Sequence, residues 1–136
     1  MRKFLPLLLA LPLLLTACKE KNEMDPGLYD SDRICLMVKG KMILPETDGT
    51  PQLSFNRSRR EFRAGNDDMS RFFTVTCSEL PVREGQEIQA DLKWTSGSSV
   101  KSATGLTFKV EKTDGTGLVW LWCAADNTGA VVKILN

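Results

Sequence analysis

Two spacings of apolar residues organise this chain. Between Glu87 and Trp94 the positions alternate, with Ile88, Ala90, Leu92 and Trp94 apolar and Glu87, Gln89, Asp91 and Lys93 polar. A period of two is that of a half-buried β-strand. Arg33–Lys39, Lys41–Leu44 and Arg71–Cys77 are short apolar or β-branched runs bounded by charges or glycine, and they predict further strands. Toward the C-terminus, Leu106–Glu111, Leu118–Ala124 and Ala130–Leu135 are separated by Thr113-Asp114-Gly115-Thr116-Gly117 and Asp126-Asn127-Thr128-Gly129. Glycine and asparagine supply the positive φ of tight hairpins, so this last third predicts a three-stranded antiparallel meander. No amphipathic helical period interrupts it. Seven to nine short strands in about a hundred residues predict an all-β fold, an antiparallel β-sandwich of immunoglobulin-like or similar Greek-key type, with a small open barrel as the alternative.

The N-terminal block is different. Arg2 and Lys3 precede an almost wholly apolar stretch, Phe4–Leu15, broken by Pro6 and Pro12, and Leu15-Thr16-Ala17-Cys18 follows. Such a run is too short to cross a hydrocarbon layer of about 30 Å as a helix, and the layout is that of a secretory signal. Leu15-Thr16-Ala17-Cys18 closely resembles the lipobox of bacterial lipoproteins. That resemblance implies cleavage before Cys18, a thioether-linked diacylglycerol on its sulfur and acylation of the new amino group. Several acyl chains on one residue hold a protein at a membrane, whereas one does so only marginally.

On this reading residues 1–17 are a signal peptide, 18–33 are the lipidated cysteine and a flexible tether, and 34–136 are the β-sandwich domain. The fifteen residues Lys19–Arg33 extend to roughly 50 Å at most and average nearer 20 Å if flexible. Lys19, in the position where an aspartate retains enterobacterial lipoproteins at the inner membrane, points by analogy to the outer membrane. Lys19-Glu20-Lys21-Asn22-Glu23 is similar to the export signals of surface lipoproteins in gut Bacteroidetes. Both the periplasmic face and the cell surface are therefore open. As a whole the chain resembles the small β-sandwich lipoproteins of Gram-negative gut bacteria.

Charge and composition narrow the function classes. Removing residues 1–17 from the 136 leaves 119 and takes out Arg2 and Lys3, so sixteen basic residues face seventeen acidic ones, a formal charge of −1. Nucleic-acid binding usually shows as a strong basic excess, and none is present. The chain contains no histidine, which excludes a Ser-His-Asp triad, a Cys-His pair and an HExxH zinc site. Glu79, Glu84, Glu87 and Asp91 are the carboxylates available for glycosidase chemistry, but Glu84-Gly85-Gln86-Glu87 reads as a solvated turn entering a strand. The expectation is a non-catalytic protein with no cofactor and no metal. Cys35, Cys77 and Cys123 each fall inside an apolar strand, where a free thiol behaves as a small hydrophobe; one disulfide among them is the alternative.

Three motifs bear on binding. Leu44-Pro45-Glu46-Thr47-Asp48-Gly49 resembles the sortase signal of Gram-positive surface proteins, but Asp48 replaces the required glycine and no apolar tail follows, so it reads as a loop. Arg57, Arg59, Arg60, Arg63 and Arg71 face only Glu61, Asp67 and Asp68 in the same region, a candidate anion patch whose plain alternative is a solvated strand that resists edge aggregation. In Gly117–Asp126, Trp120 and Trp122 share one strand face about 7 Å apart while Val119, Leu121 and Cys123 share the other. Both faces are apolar. With Trp94 the two indoles form a candidate ligand platform for stacking sugar rings; the alternative places them in the core, with the opposite face under a loop or the N-terminal segment. The expected role is an anchored binding module for glycans, against a structural or assembly lipoprotein that docks to an outer-membrane protein.

Overall fold

A computed structural model describes residues 23–44, 52–66 and 70–135. The lipobox and Pro45–Gly49 lie outside the described residues. Nine strands form one antiparallel sheet: β1 (Cys35–Val38), β2 (Lys41–Leu44), β3 (Gln52–Asn56), β4 (Glu61–Gly65), β5 (Phe72–Cys77), β6 (Glu87–Ser96), β7 (Ser99–Thr113), β8 (Leu118–Cys123) and β9 (Thr128–Lys133). Their order is β2-β1-β9-β8-β7-β6-β5-β4-β3. Every neighbour is also a neighbour in sequence except β1 and β9, which pair Cys35 with Val131 and Met37 with Gly129.

The all-β, antiparallel character and the β7-β8-β9 meander are as the sequence predicts. The two-sheet immunoglobulin-like sandwich is not what the described strands build: they hydrogen-bond continuously and curl into a half-barrel, nearer to the open-barrel alternative. The physical reason lies in the turns. Strands β3 to β9 follow one another through local connections, so no long Greek-key crossover carries the chain to a second sheet. Ladder irregularities at Leu36/Met37, Ala90/Leu92 and Val110/Lys112 supply the bends, as β-bulges do.

The concave face holds the main core. The alternation in β6 sends Ile88, Ala90, Leu92 and Trp94 inward, and they join Phe62, Phe73, Phe108, Val110, Leu121 and Val132 in one cluster that draws on strands all around the sheet. Each fully buried phenylalanine contributes roughly 1.5–3 kcal/mol by leaving water. A second, smaller cluster lies on the convex face. It contains Met24, Leu28, Cys35, Met37, Trp120, Trp122 and Val131.

Part of that second cluster belongs to the segment expected to be a flexible tether. Asp25 caps one helical turn, α1 (Pro26–Tyr29), its carboxylate accepting from the Gly27 N–H at 2.9 Å, with Pro26 at the first position. Both residues suit a helix start. The turn presses Leu28, fully buried, onto the sheet over Gly129. The folded unit thus begins by Met24, earlier than Ile34.

Gly129 is required for this contact. A Cβ there would stand 2.6 Å from both the Leu121 carbonyl oxygen and Leu28 Cδ2, and 2.7 Å from Trp122 Cε3. The backbone oxygen cannot yield. Gly129→Ala is expected to cost about 1–3 kcal/mol, as overpacking does, read as a lowered urea midpoint; an unchanged midpoint would show that α1 does not seat there.

Cys35, Cys77 and Cys123 are all free and buried. Burial pushes the Cys77 thiol up to about 12, against a smaller opposing pull from the Arg60 guanidinium. A thiol whose folded pKa is raised stabilises the fold below its unfolded value of about 9, and that contribution is lost as pH rises toward 12. Between those limits the unfolded chain has shed a proton the folded chain keeps, so stability falls by about 1.4 kcal/mol per pH unit from this one group. Denaturant titrations from pH 8 to 11 are expected to show a steeper decline in the parent than in Cys77→Ala. Equal slopes would refute the assignment.

Candidate functional site

The indoles are the first test of the sequence reading. Trp120 and Trp122 do share a face, and they are only 4% and 3% exposed. Their cover is the segment 24–31, while Val119, Leu121 and Cys123 face the main core. The covering assignment is therefore inverted relative to the alternative considered from sequence: the tryptophan side lies under the N-terminal segment. Trp94 is 7% exposed and sits on the concave side, in the other cluster. The three indoles do not form one platform.

Polar contacts fasten the cover. Trp120 Nε1 donates to the Ser31 carbonyl at 3.1 Å, and the Lys112 ammonium lies 4.1 Å from the Tyr29 ring centre and 4.4 Å from that of Trp120. A cation held between two aromatic faces is attracted by both ring quadrupoles. The Cys35 thiol donates to Ser31 Oγ at 3.7 Å, and burial outweighs that contact to raise the Cys35 pKa. Trp122 Nε1 is buried with no hydrogen-bond partner among the described residues, which costs about 1–3 kcal/mol against the much larger gain of burying its ring.

The arginines divide among separate environments. Arg57 stacks over Phe55 at 5.6 Å and Arg63 over Phe72 at 4.7 Å, while Arg60 turns back to donate its Nε–H to the Cys77 carbonyl at 2.8 Å. Arg59 lies exposed in the β3–β4 turn, and Arg71 precedes β5, engaged with other groups. Several of the guanidinium groups are thus committed to rings or backbone in different places. The carboxylates are likewise dispersed: Glu84 and Glu87 are exposed, Glu79 accepts from Gln86 Nε2 at 2.8 Å, and Asp91 accepts from the Gly105 N–H at 2.8 Å opposite a bulge.

The concave site is the mouth of the half-barrel, a recess of about 690 Å³. Its floor is Leu92 and Trp94 on β6. One wall is Val38 and Ile43, from β1 and β2, and the other is Ala103 and Leu106, from β7; these four are half-buried and pack against the main core. Register explains the arrangement. Val38 pairs with Lys41 and Trp94 with Lys101, and cross-strand partners point to the same face. Lys41 and Lys101 therefore stand beside apolar residues on opposing walls. Lys39 adds a third cation and Asp126 a lone carboxylate. Among the described residues, Lys41 and Lys101 make no ion pair.

The Lys39-Gly40 turn is pinned across the sheet. Lys39 and Gly40 have φ of 52° and 80°, the left-handed pair of a two-residue hairpin. The Lys39 N–H donates to Thr128 Oγ1 at 3.1 Å, and the Gly40 N–H donates to the Asn127 carbonyl at 2.8 Å. A side chain at Gly40 would meet Asn127 Nδ2 at 2.7 Å. This close approach fixes the lysine wall against the β8–β9 turn. Sequence reasoning missed the site because Lys101 lies about sixty residues from Lys39 and Lys41; the available signal was Val38, Lys41 and Ile43 around Gly40.

Leu28→Ala tests the cover independently of the mouth. Truncating this fully buried leucine is expected to cost about 2–5 kcal/mol and to raise iodide quenching of the Trp120 and Trp122 fluorescence. Destabilisation without increased quenching would mean that the cover stays in place. No protein-family model, curated protein or solved structure matches this chain.

Proposed function

We propose that this chain is an outer-membrane lipoprotein, anchored by lipid on Cys18, that acts as a non-catalytic binding module through the mouth of its half-barrel. The observation that carries the binding reading is the recess itself: a concave apolar floor and walls beneath three lysines, within the size range of small-molecule sites. The anchor reading rests on Leu15-Thr16-Ala17-Cys18. Five residues, Lys19–Glu23, then separate the lipidated cysteine from the buried Met24, a tether of roughly 20 Å at full stretch. The periplasmic and cell-surface faces both suit such an attachment. Glycans stay among the ligands to be screened, without the three-tryptophan platform first expected for them.

An assembly role, docking to an outer-membrane protein, is the second reading. It is favoured by β2 and β3, the two edges of the sheet, which have no further strand neighbour among the described residues. Unpaired edges offer backbone donors and acceptors to a partner strand.

Two measurements separate these readings. Wild-type protein is expected to incorporate labelled palmitate and fractionate with outer membranes, and Cys18→Ser to lose both properties; membrane association that persists in the variant would sink the anchor. Hydrogen exchange on the anchored protein, screened against cell-surface glycans and small-molecule extracts, is expected to show protection at 38–43 and 94–106. Protection confined to 41–44 and 52–56 by an outer-membrane protein would favour the assembly role instead.

A further inference from the structure

The mouth differs from a second recess among the described residues in combining cations with uncovered aliphatic side chains. The second recess, about 360 Å³ beside Tyr29, is lined by Glu23, Asp30 and Glu111, with Met24 and Pro26. It is an acidic cluster without a group that points to a ligand. At the mouth, Val38, Ile43, Ala103 and Leu106 pack against the main core and remain partly exposed. Apolar area of this kind is covered favourably by an apolar body.

Charge sets the other half of the ligand. Lys39 and Lys41 descend from one wall and Lys101 from the other, against Asp126 among the described lining residues, so these residues carry a net positive charge. Directional hydrogen bonding is sparse. Thr128 is fully buried and its hydroxyl is committed, accepting from Lys39 N–H and donating to the Asp126 carbonyl at 3.0 Å. Ser96, two residues from Trp94, is the remaining lining hydroxyl on this face; Ser102 pairs with Lys93, so its side chain points to the other. Trp94, at 7% exposure, presents little ring face for a sugar to stack on. A polyhydroxylated ligand would leave many of its groups without partners here, whereas a ligand with one anionic head and an aliphatic body matches both halves of the recess.

We propose that the half-barrel mouth binds a small anionic amphiphile, a free carboxylate with an aliphatic chain, its chain between the Val38–Ile43 and Ala103–Leu106 walls and its head among Lys39, Lys41 and Lys101. This rests on the binding-module reading and gives it a ligand class. The head is recognised by charge-assisted contacts and the chain by area removed from water. Neither term requires the ligand to be ordered along its whole length.

The test uses the lipid-anchored protein in nanodiscs of zwitterionic phosphatidylcholine, with dodecanoate, dodecanol and tetragalacturonate as probes and hydrogen exchange as a site-resolved readout. Dodecanoate is expected to protect segments 38–43 and 94–106, with dodecanol protecting them at least tenfold more weakly in concentration. Lys41→Met and Lys101→Met keep the alkyl stem and remove the charge; each is expected to weaken dodecanoate binding by about tenfold. Lys93→Met, on the opposite face of β6, is expected to change nothing. Equal protection by dodecanol, or no effect of either mouth lysine, overturns the anionic head. Protection by tetragalacturonate but not dodecanoate overturns the amphiphile while leaving the mouth a binding seat. Protection by none of the three overturns it too, and the binding-module reading then falls to the wider screen.

Discussion

Strand β8 has to be buried on both faces, and most of the architecture follows from satisfying that requirement. Val119, Leu121 and Cys123 are covered by the curl of the sheet itself. Trp120 and Trp122 point the other way, and two indoles left in water would forgo roughly 4–6 kcal/mol each in gross burial, taking 150–250 Å² per ring. Segment 24–31 supplies the second cover through Leu28, Met24 and the Ser31 carbonyl. Crossing the convex face delivers the chain to Cys35 beside Val131, so the β1–β9 pairing, the sheet's long-range closure, is the continuation of that cover. The β1–β2 turn then arrives where Asn127 and Thr128 can accept its N–H groups. Lys39 and Lys41 reach the mouth because two tryptophans on the other side needed shielding.

The same closure explains why one surface of the molecule is left incompletely packed. Strand β7 runs for fifteen residues, and its first half, Ser99–Leu106, is mostly exposed while Phe108 and Val110 beyond it are buried. The β6–β7 hairpin therefore projects past the layer that the phenylalanines fill. Among the described residues, the short β1–β2 hairpin stands opposite it. Among the described residues the two walls enclose a recess rather than a filled core, and the lysines at its rim also keep exposed strands from pairing with other chains. Trp94 closes the bottom, which separates the recess from the packed interior.

Legibility in the sequence tracked the range of the interaction. The period-two pattern of Glu87–Trp94 appears directly as β6, and the C-terminal turns mark the β7-β8-β9 meander, because both are local. Strands β3 and β4 were harder to see: Phe62 and Ala64 alternate with Glu61 and Arg63, but the surrounding arginines made the stretch look like a solvated patch. The common face of Trp120 and Trp122 was readable from spacing, whereas the identity of their cover was not, since Leu28 meets them across about ninety residues of chain. Pro26–Tyr29 is one turn long, too short to show a helical period. The number of sheets was likewise hidden, because alternation says which side of a strand is buried and not whether a second sheet or the curvature of the first buries it.

The proposed attachment and the proposed seat lie toward opposite faces of the same sheet. On the proposed anchoring, the lipid joins the chain six residues before Met24, which packs on the convex surface with Trp120 and Trp122. The mouth opens on the concave surface, beyond the β8–β9 turn. On that proposal, so short a tether would keep the convex face near the bilayer, with the mouth on the other face of the sheet. If instead the cover were a loose spacer, as composition alone suggests, the domain would tumble freely and no face would be preferred. Burial of Met24 and Leu28 thus does more than shield the indoles: it fixes where the chain enters the fold, on the convex face, opposite the lysine-rimmed mouth.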